Sequence, residues 1–192
     1  MLHVVQLGEL PPIIRSRVLL EFFESLPAQA LLAPRRLSPD QRYVLKNLVE
    51  RDGKARSEAI FSLGYWAAFR VSDVSWLTVD NCHIGPKVGW VRVGHKGGKG
   101  RDIGLLNEAR RPLHEYLRDG GRETEIPYAF ASQRSERLTE AGIHHWLRTL
   151  KKRATKDEWE LVSDVAFHDL RHAMHKDEYP GVVIVGEDAH PF

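Results

Sequence analysis

Residues 68–77 have the sequence AFRVSDVSWL, in which the end of an apolar stretch meets a charged turn. The residues before it predict a helix over about 55–68, with Ile60, Phe61 and Gly64 facing a neighbouring element. The residues after the turn begin a second, short helix, for which Ser72 is the candidate N-cap. Arg70 is therefore predicted to lie at the junction of two helices.

A further helix is predicted upstream of this junction. Residues 38–41 (SPDQ) place serine at the N-cap, proline at the first helical position and glutamine at N3, which is a capping box. An apolar stripe at helical spacing follows: Val44, Leu45, Leu48 and Val49. The stretch 52–53 (Asp-Gly) ends this helix. Residues 1–34 are too few for an independent domain and are expected to be an N-terminal remnant or linker.

The downstream half contains two predicted strands. Residues 88–93 alternate as a strand, residues 101–106 are a second candidate, and the four glycines of residues 94–100 predict a hairpin between them. Three helical segments follow, over about 107–118, over 140–154 behind the N-cap Thr139, and from about 165 onward. The pattern predicts an α+β fold that is mostly helical and has one small hairpin.

The hairpin tip is glycine-rich and cationic. Lys96 and Lys99 flank its glycines, but no helix follows them, so a nucleotide-binding P-loop is excluded. A lysine at such a tip can enter a DNA groove and meet a phosphate or a leaving oxygen. An ordinary turn that happens to contain lysines is the alternative.

His168 and Arg171 are three residues apart and share one face of a predicted helix. Arginine can bind a phosphate through two hydrogen bonds, and histidine can donate one or transfer a proton. A charged helix end with a satisfied histidine is the ordinary alternative. Residues 168–172 (HDLRH) also come close to the HExxH helix of zinc hydrolases, but aspartate replaces the glutamate base and no third ligand is evident.

Composition and charge limit the possible partners. The net charge is +2 and the isoelectric point is about 8.7, with one basic cluster around the hairpin and another at 148–153. Either cluster alone could be a solvated face, but together they favour nucleic acid as the partner. A single cysteine, Cys82, excludes an internal disulfide, and neither a membrane span nor a signal peptide is evident. We therefore expect a cytoplasmic protein.

Four motifs in order resemble those of the tyrosine recombinases (phage integrase family). Residues 68–77 resemble the family's arginine box, and residues 91–101 resemble its lysine hairpin. Residues 130–132 (FAS) resemble the segment before the next helix, and residues 168–172 match the HxLRH box. The resemblance implies a tyrosine recombinase catalytic domain over 35–172.

The resemblance also implies roles for individual residues. Arg70 and Arg171 would neutralise the scissile phosphate, Lys96 would protonate the leaving 5′ oxygen, and His168 would assist proton transfer. Further cations would bind the DNA backbone: Lys99, Arg101, Arg148, Lys151 and Lys152. No cofactor or metal is implied. Double-stranded DNA is the expected partner, and other recombinase protomers are possible ones.

The resemblance ends after His172. The family continues through further helices, a second histidine or tryptophan box and the nucleophilic tyrosine, whereas residues 173–192 diverge. Tyr179 is a poor candidate nucleophile because it follows Arg171 by only eight residues. We therefore expect an incomplete catalytic domain that lacks the final helices and does not cleave DNA alone. A DNA-binding module without catalytic activity is the main alternative, and a zinc hydrolase is a remote one.

Overall fold

The computed structural model describes residues 36–94, 100–119, 125–132 and 135–173, all within one unit that begins at Arg35. Within these ranges the chain forms seven helices and three strands: α1 (Pro39–Asp52), α2 (Ala55–Tyr65), α3 (Val71–Ser75), β1 (Cys82–Ile84), β2 (Gly89–Val93), β3 (Arg101–Gly104), α4 (Asn107–Asp119), α5 (Glu140–Lys151), α6 (Lys156–Val162) and α7 (Phe167–Arg171). The predicted N-terminal segment 1–34 and the tail from 174 onward lie outside the described residues. The α+β, mostly helical class is confirmed.

Helix α1 begins and ends where local chemistry dictates. The Gln41 amide donates to the Ser38 hydroxyl over 3.1 Å, and the Ser38 amide donates to Gln41 Oε1 over 2.9 Å, so the capping box is confirmed. Gly53 ends the helix at φ 63°, a left-handed conformation that glycine adopts without strain. The predicted apolar stripe is buried.

Helix α2 is the centre of the core, and every residue from Ala59 to Tyr65 is buried. It packs against α4 and against α7. At Gly64 an added Cβ would lie 2.8 Å from Phe167 Cζ and 3.4 Å from Leu170 Cδ1. The predicted close packing at Gly64 is therefore confirmed, and its partner is α7.

The end of α2 differs from the prediction. The helix stops at Tyr65 and not near Ala68. Ala68 has φ 53°, and the Phe69 amide returns to the Leu63 carbonyl over 3.0 Å. This left-handed residue reverses the chain and delivers Arg70 to the start of α3.

The sheet is antiparallel, in the order β1-β2-β3. Val93 pairs with Arg101 across β2 and β3, which confirms that the two predicted strands form a hairpin. Strand β1 was not predicted, and it pairs Cys82 with Val91. Helix α6 was also missed, although its capping box of Thr155 and Glu158 is visible in the sequence.

Candidate functional site: an arginine and histidine cluster at the end of helix α2

Arg70 is the N-cap of α3, with an extended backbone (φ −70°, ψ 155°) and an exposed side chain. Its amide donates to Asp73 Oδ2 over 3.0 Å. Ser72 was therefore the wrong N-cap, because the helix begins one residue before it, at Val71. The carboxylate in the first turn also favours the helix start electrostatically.

Asp73 joins the arginine segment to the hairpin. Its Oδ2 also accepts from an Arg101 guanidinium nitrogen over 2.7 Å, and Arg101 is the first residue of β3. The Asp73 side chain is 5% exposed and that of Arg101 is 28% exposed. A hydrogen-bonded ion pair with so little solvent screening is a strong link. The turn that bears Arg70 is thereby fixed to the base of the lysine hairpin.

The tip of that hairpin falls in 95–99, so Lys96 and Lys99 lie outside the described residues. Their predicted roles stay predictions. The described base of the hairpin is well defined, because Arg92 and Asp102 pair directly across the strands. These two side chains also form a two-bond ion pair, with both distances 2.8 Å, on the exposed face of the sheet.

Helix α7 presents the second group of candidates. Its Phe167 and Leu170 are buried against the rest of the core, whereas His168 is exposed and Arg171 is half-buried. The Ala166 amide donates to Asp169 Oδ2 over 2.8 Å. The same arrangement is seen at α3, where the carboxylate of the third helical residue also caps the backbone.

One turn of α2 positions both groups. Gly64 lies against Phe167 and Leu170 of α7, and Arg70 follows only six residues after Gly64. The hydrogen bond from the Phe69 amide to Leu63 holds that short connection against the same turn. The structure therefore attaches the arginine box and the HxLRH box to a single buried helix end.

His168 and His172 form a pair on α7 and the residue that follows it. Their Nε2 atoms are 3.0 Å apart, and the two rings meet edge to face with centroids 4.7 Å apart. Burial lowers the pKa of His172, and the neighbouring charges of His168 and Arg171 lower it further, against a smaller opposing effect of Asp169. His172 is therefore held in its neutral form more firmly than a free histidine.

The basic cluster at the end of α5 divides into two kinds of side chain. Arg148 and Lys152 are exposed, as a DNA-binding role requires. Lys151 is 5% exposed, and its ammonium donates to the carbonyls of Ser163 and Val165 over 2.8 Å each. This burial opposes the prediction that Lys151 binds DNA, because its ammonium holds the segment between α6 and α7.

The model of the phage integrase family matches residues 35–177. The chain belongs to that family. Among curated recombinases it is 30% identical over 123 residues to tyrosine recombinase XerD of Ralstonia nicotianae, a match that covers 62% of this chain and 38% of that protein. It is 29% identical over 155 residues to tyrosine recombinase XerC of Pelobacter propionicus, which covers 76% of this chain and 49% of that protein. The chain thus spans less than half the length of these relatives.

Solved recombinase structures share the fold. The XerA recombinase aligns with a TM-score of 0.53 at 23% identity, over 83% of this chain and 56% of that one. The XerH recombinase bound to its difH substrate aligns with a TM-score of 0.55 at 16% identity, over 78% of this chain and 43% of that one. The predicted tyrosine recombinase catalytic-domain fold is therefore confirmed.

In this family member, the residue that sequence reasoning missed is Asp73. The sequence contained a signal for it, because an acidic residue three positions after the start of a helix commonly accepts a hydrogen bond from the N-cap amide. Arg101 was predicted to bind DNA, and one of its guanidinium nitrogens is now seen to bind Asp73. Its contact with DNA stays a prediction.

Three other features were sought among the described residues: a metal site, a membrane-spanning helix and a nucleophilic tyrosine. No group of three potential metal ligands occurs among them, and none of their helices is long and apolar enough to cross a membrane. The tyrosines of this part of the chain, Tyr43, Tyr65, Tyr116 and Tyr128, all precede α7. Tyr179, the candidate that the sequence disfavours, lies outside the described residues.

We expect Lys151→Met to lower the free energy of unfolding by about 2 kcal/mol, because the Ser163 and Val165 carbonyls lose the charged donor that Lys151 supplies. Urea unfolding measures the loss. The adjacent exposed Lys152→Met is the control and should change stability by less than about 0.5 kcal/mol. Equal effects of the two substitutions would contradict the buried role of Lys151.

The lowered pKa of His172 predicts a pH dependence of stability. Because the unfolded state binds this proton more readily than the folded state, stability should fall as the pH drops below about 6.5. Melting temperatures between about pH 7.5 and 5.5 should therefore fall less for His172→Gln than for the unsubstituted chain. His144→Gln, on an exposed face of α5, is the control. A wild-type pH response in His172→Gln would refute the assignment.

Proposed function

We propose that this chain contains the phosphate-activating part of a tyrosine recombinase site and acts on duplex DNA in site-specific recombination. Arg70 and Arg171 would bind the non-bridging oxygens of the scissile phosphate. Lys96 would protonate the departing 5′ oxygen, and His168 would assist proton transfer at the attacking tyrosine hydroxyl. The domain responsible is 35–172.

The observation that supports this proposal most strongly is the double contact of Asp73. One carboxylate oxygen fixes the backbone of Arg70 and, through Arg101, the base of the hairpin that contains Lys96. A phosphate-activating site needs its cations fixed before the substrate arrives, because a charge that must first reorganise stabilises the transition state less. Asp73 supplies that fixation at the Arg70 side through the backbone amide.

The positions of the other candidates agree with the proposal. Arg70 and His168 are exposed, and Arg171 is half-buried on α7, which packs against the same end of α2. Two guanidinium groups and the exposed imidazole of His168 would suit the oxygens of a pentavalent phosphorane, in which negative charge accumulates. No metal is required, because the arginines supply the positive charge.

The proposed partner is double-stranded DNA, with further recombinase protomers as additional partners and the cytoplasm as the setting. The XerH structures and the Tn1549 transposon integrase structure with circular intermediate DNA are complexes of related folds with DNA. In this chain Arg148 and Lys152 are exposed cations available for the backbone, with Lys99 assigned from the resemblance. Binding should be phosphate-dominated and strongly dependent on salt.

A DNA-binding module that does not cleave is the second candidate function. It is favoured by one feature of the sequence: Tyr179 follows Arg171 by only eight residues, too few for the further helices that the resemblance implies before the nucleophile. The remote zinc hydrolase alternative would use His168 and His172, but the described residues contribute no third ligand to that pair.

Trapping of a covalent intermediate distinguishes the two main candidates. The full chain is incubated with a pool of nicked suicide duplexes, and protein–DNA adducts that survive denaturation are isolated. A tyrosine recombinase should give a phosphotyrosyl adduct that Arg171→Gln abolishes, whereas Arg111→Gln, on the exposed face of α4, should leave it intact. Binding without an adduct would support the second candidate. Tyr179→Phe then tests the one tyrosine after α7 in the sequence.

A further inference from the structure

The contact between His168 and His172 is unusual because two ring nitrogens of the same kind face each other. Their Nε2 atoms are 3.0 Å apart, so one must donate a hydrogen and the other must accept it. The four-residue spacing places both rings on the same side of α7 and its C-cap residue His172, and Phe167 and Leu170 anchor that helix in the core. If both rings carry their hydrogen on Nδ1, both Nε2 atoms offer a lone pair at the same place on the surface.

This spacing suits a metal ion of a particular geometry. With metal–nitrogen bonds of about 2.05 Å, nitrogens 3.0 Å apart subtend about 94° at a shared ion. A right angle is the angle of square-planar and tetragonal sites, which Cu²⁺ and Ni²⁺ prefer. A tetrahedral Zn²⁺ would need the nitrogens about 3.3 Å apart. Imidazole is a good ligand for all three ions, so the distance between the two nitrogens decides which ion is bound most tightly.

The surroundings allow an ion to enter. His168 is exposed and His172 is half-buried, so solvent reaches the point between the rings. Asp169 turns its Oδ2 to the Ala166 amide, and no third ligand of the described residues joins the pair. Water would therefore fill the remaining positions. The nearby charge of Arg171 opposes binding, which makes the site one of moderate affinity.

We propose that His168 and His172 form a two-nitrogen chelate for a tetragonal divalent transition-metal ion, with Cu²⁺ bound before Ni²⁺ and Ni²⁺ before Zn²⁺. The ion takes the place of the proton that the two rings share. One consequence rests on the proposed function: a bound ion removes His168 from proton transfer and so inhibits strand cleavage. The binding itself is independent of that function.

The test is a titration of Cu²⁺ into the full, untagged chain without DNA, followed by electron paramagnetic resonance. All proteins should contain His3→Gln, because a histidine at position three chelates copper together with a free amino terminus. The parent should bind one tetragonal copper with two imidazole nitrogens. His168→Gln and His172→Gln should each weaken binding by about tenfold or more and leave one nitrogen. His144→Gln, an exposed histidine on α5, is the matched control.

Circular dichroism confirms that each variant is folded before titration. Loss of the two-nitrogen signal in both α7 variants, with the control unchanged, supports the chelate. Copper binding that is unchanged in either α7 variant overturns it, as does a stronger affinity for Zn²⁺ than for Cu²⁺. Because no DNA is present, failure here leaves the recombinase proposal standing, and failure of the adduct assay leaves the chelate standing.

Discussion

Replacement of Asp73 by alanine is expected to lower the free energy of unfolding by about 3 kcal/mol. The substitution removes the cap of the Arg70 amide and leaves the Arg101 guanidinium, only 28% exposed, without its carboxylate. A partly buried charge that loses its partner retains its desolvation cost, which makes the loss larger than the value of the hydrogen bonds alone. Chemical denaturation measures the effect.

Asp102→Ala is the matched control. Asp102 also pairs with an arginine, Arg92, over 2.8 Å, but the two side chains are 47% and 58% exposed. Water screens an ion pair of this kind, so its loss should cost far less than the loss of Asp73. If Asp73→Ala were as harmless as Asp102→Ala, Asp73 would not be the link between the arginine turn and the hairpin.

Gly64→Leu should destabilise the protein by about 3 kcal/mol, because the new side chain enters a packed contact. Even a Cβ at this position would lie 2.8 Å from the Phe167 ring and 3.4 Å from Leu170, both fully buried. Relief of the clash requires α7 to move away from α2. The substitution should therefore displace His168 and Arg171 as well, which weakens DNA binding beyond the loss of stability.

Gly104→Leu provides the comparison for this experiment. Gly104 lies at the end of β3 and has nothing within 4 Å of an added Cβ, so the same change should be tolerated. Thermal unfolding together with DNA titration below the melting temperature separates the two effects. Wild-type stability in Gly64→Leu would show that α2 and α7 are not in close contact.

Local signals in the sequence were sufficient where neighbouring residues determine the structure. The capping box of Ser38 and Gln41 and the stripe that follows it act within a few residues, so α1 could be predicted from its letters. The four motifs that identified the family are likewise short stretches of neighbouring residues, so they could be recognised in the sequence. Strand β1, by contrast, has three residues, too few for an alternation to be recognised, and it exists because β2 pairs with it.

Tertiary contacts determined what the sequence could not show. Lys151 looked like one more member of a basic surface, and only the approach of the Ser163 and Val165 carbonyls buries it. The end of α2 depends on the left-handed conformation of Ala68, with φ 53°. This conformation is uncommon for a residue other than glycine, and the amino-acid sequence does not indicate it. Asp73 was visible as a cap, but its bond to Arg101 spans 28 positions.

The most direct measurement of the central claim is the salt dependence of DNA affinity. If Arg70 and Arg171 bind a shared phosphate, the slope of log affinity against log salt should fall in magnitude by about one in the double variant Arg70→Gln/Arg171→Gln. Arg111→Gln, an exposed arginine paired with Glu115 on α4, should keep the slope of the unsubstituted chain. An unchanged slope and affinity in the double variant would contradict a phosphate site at this end of α2.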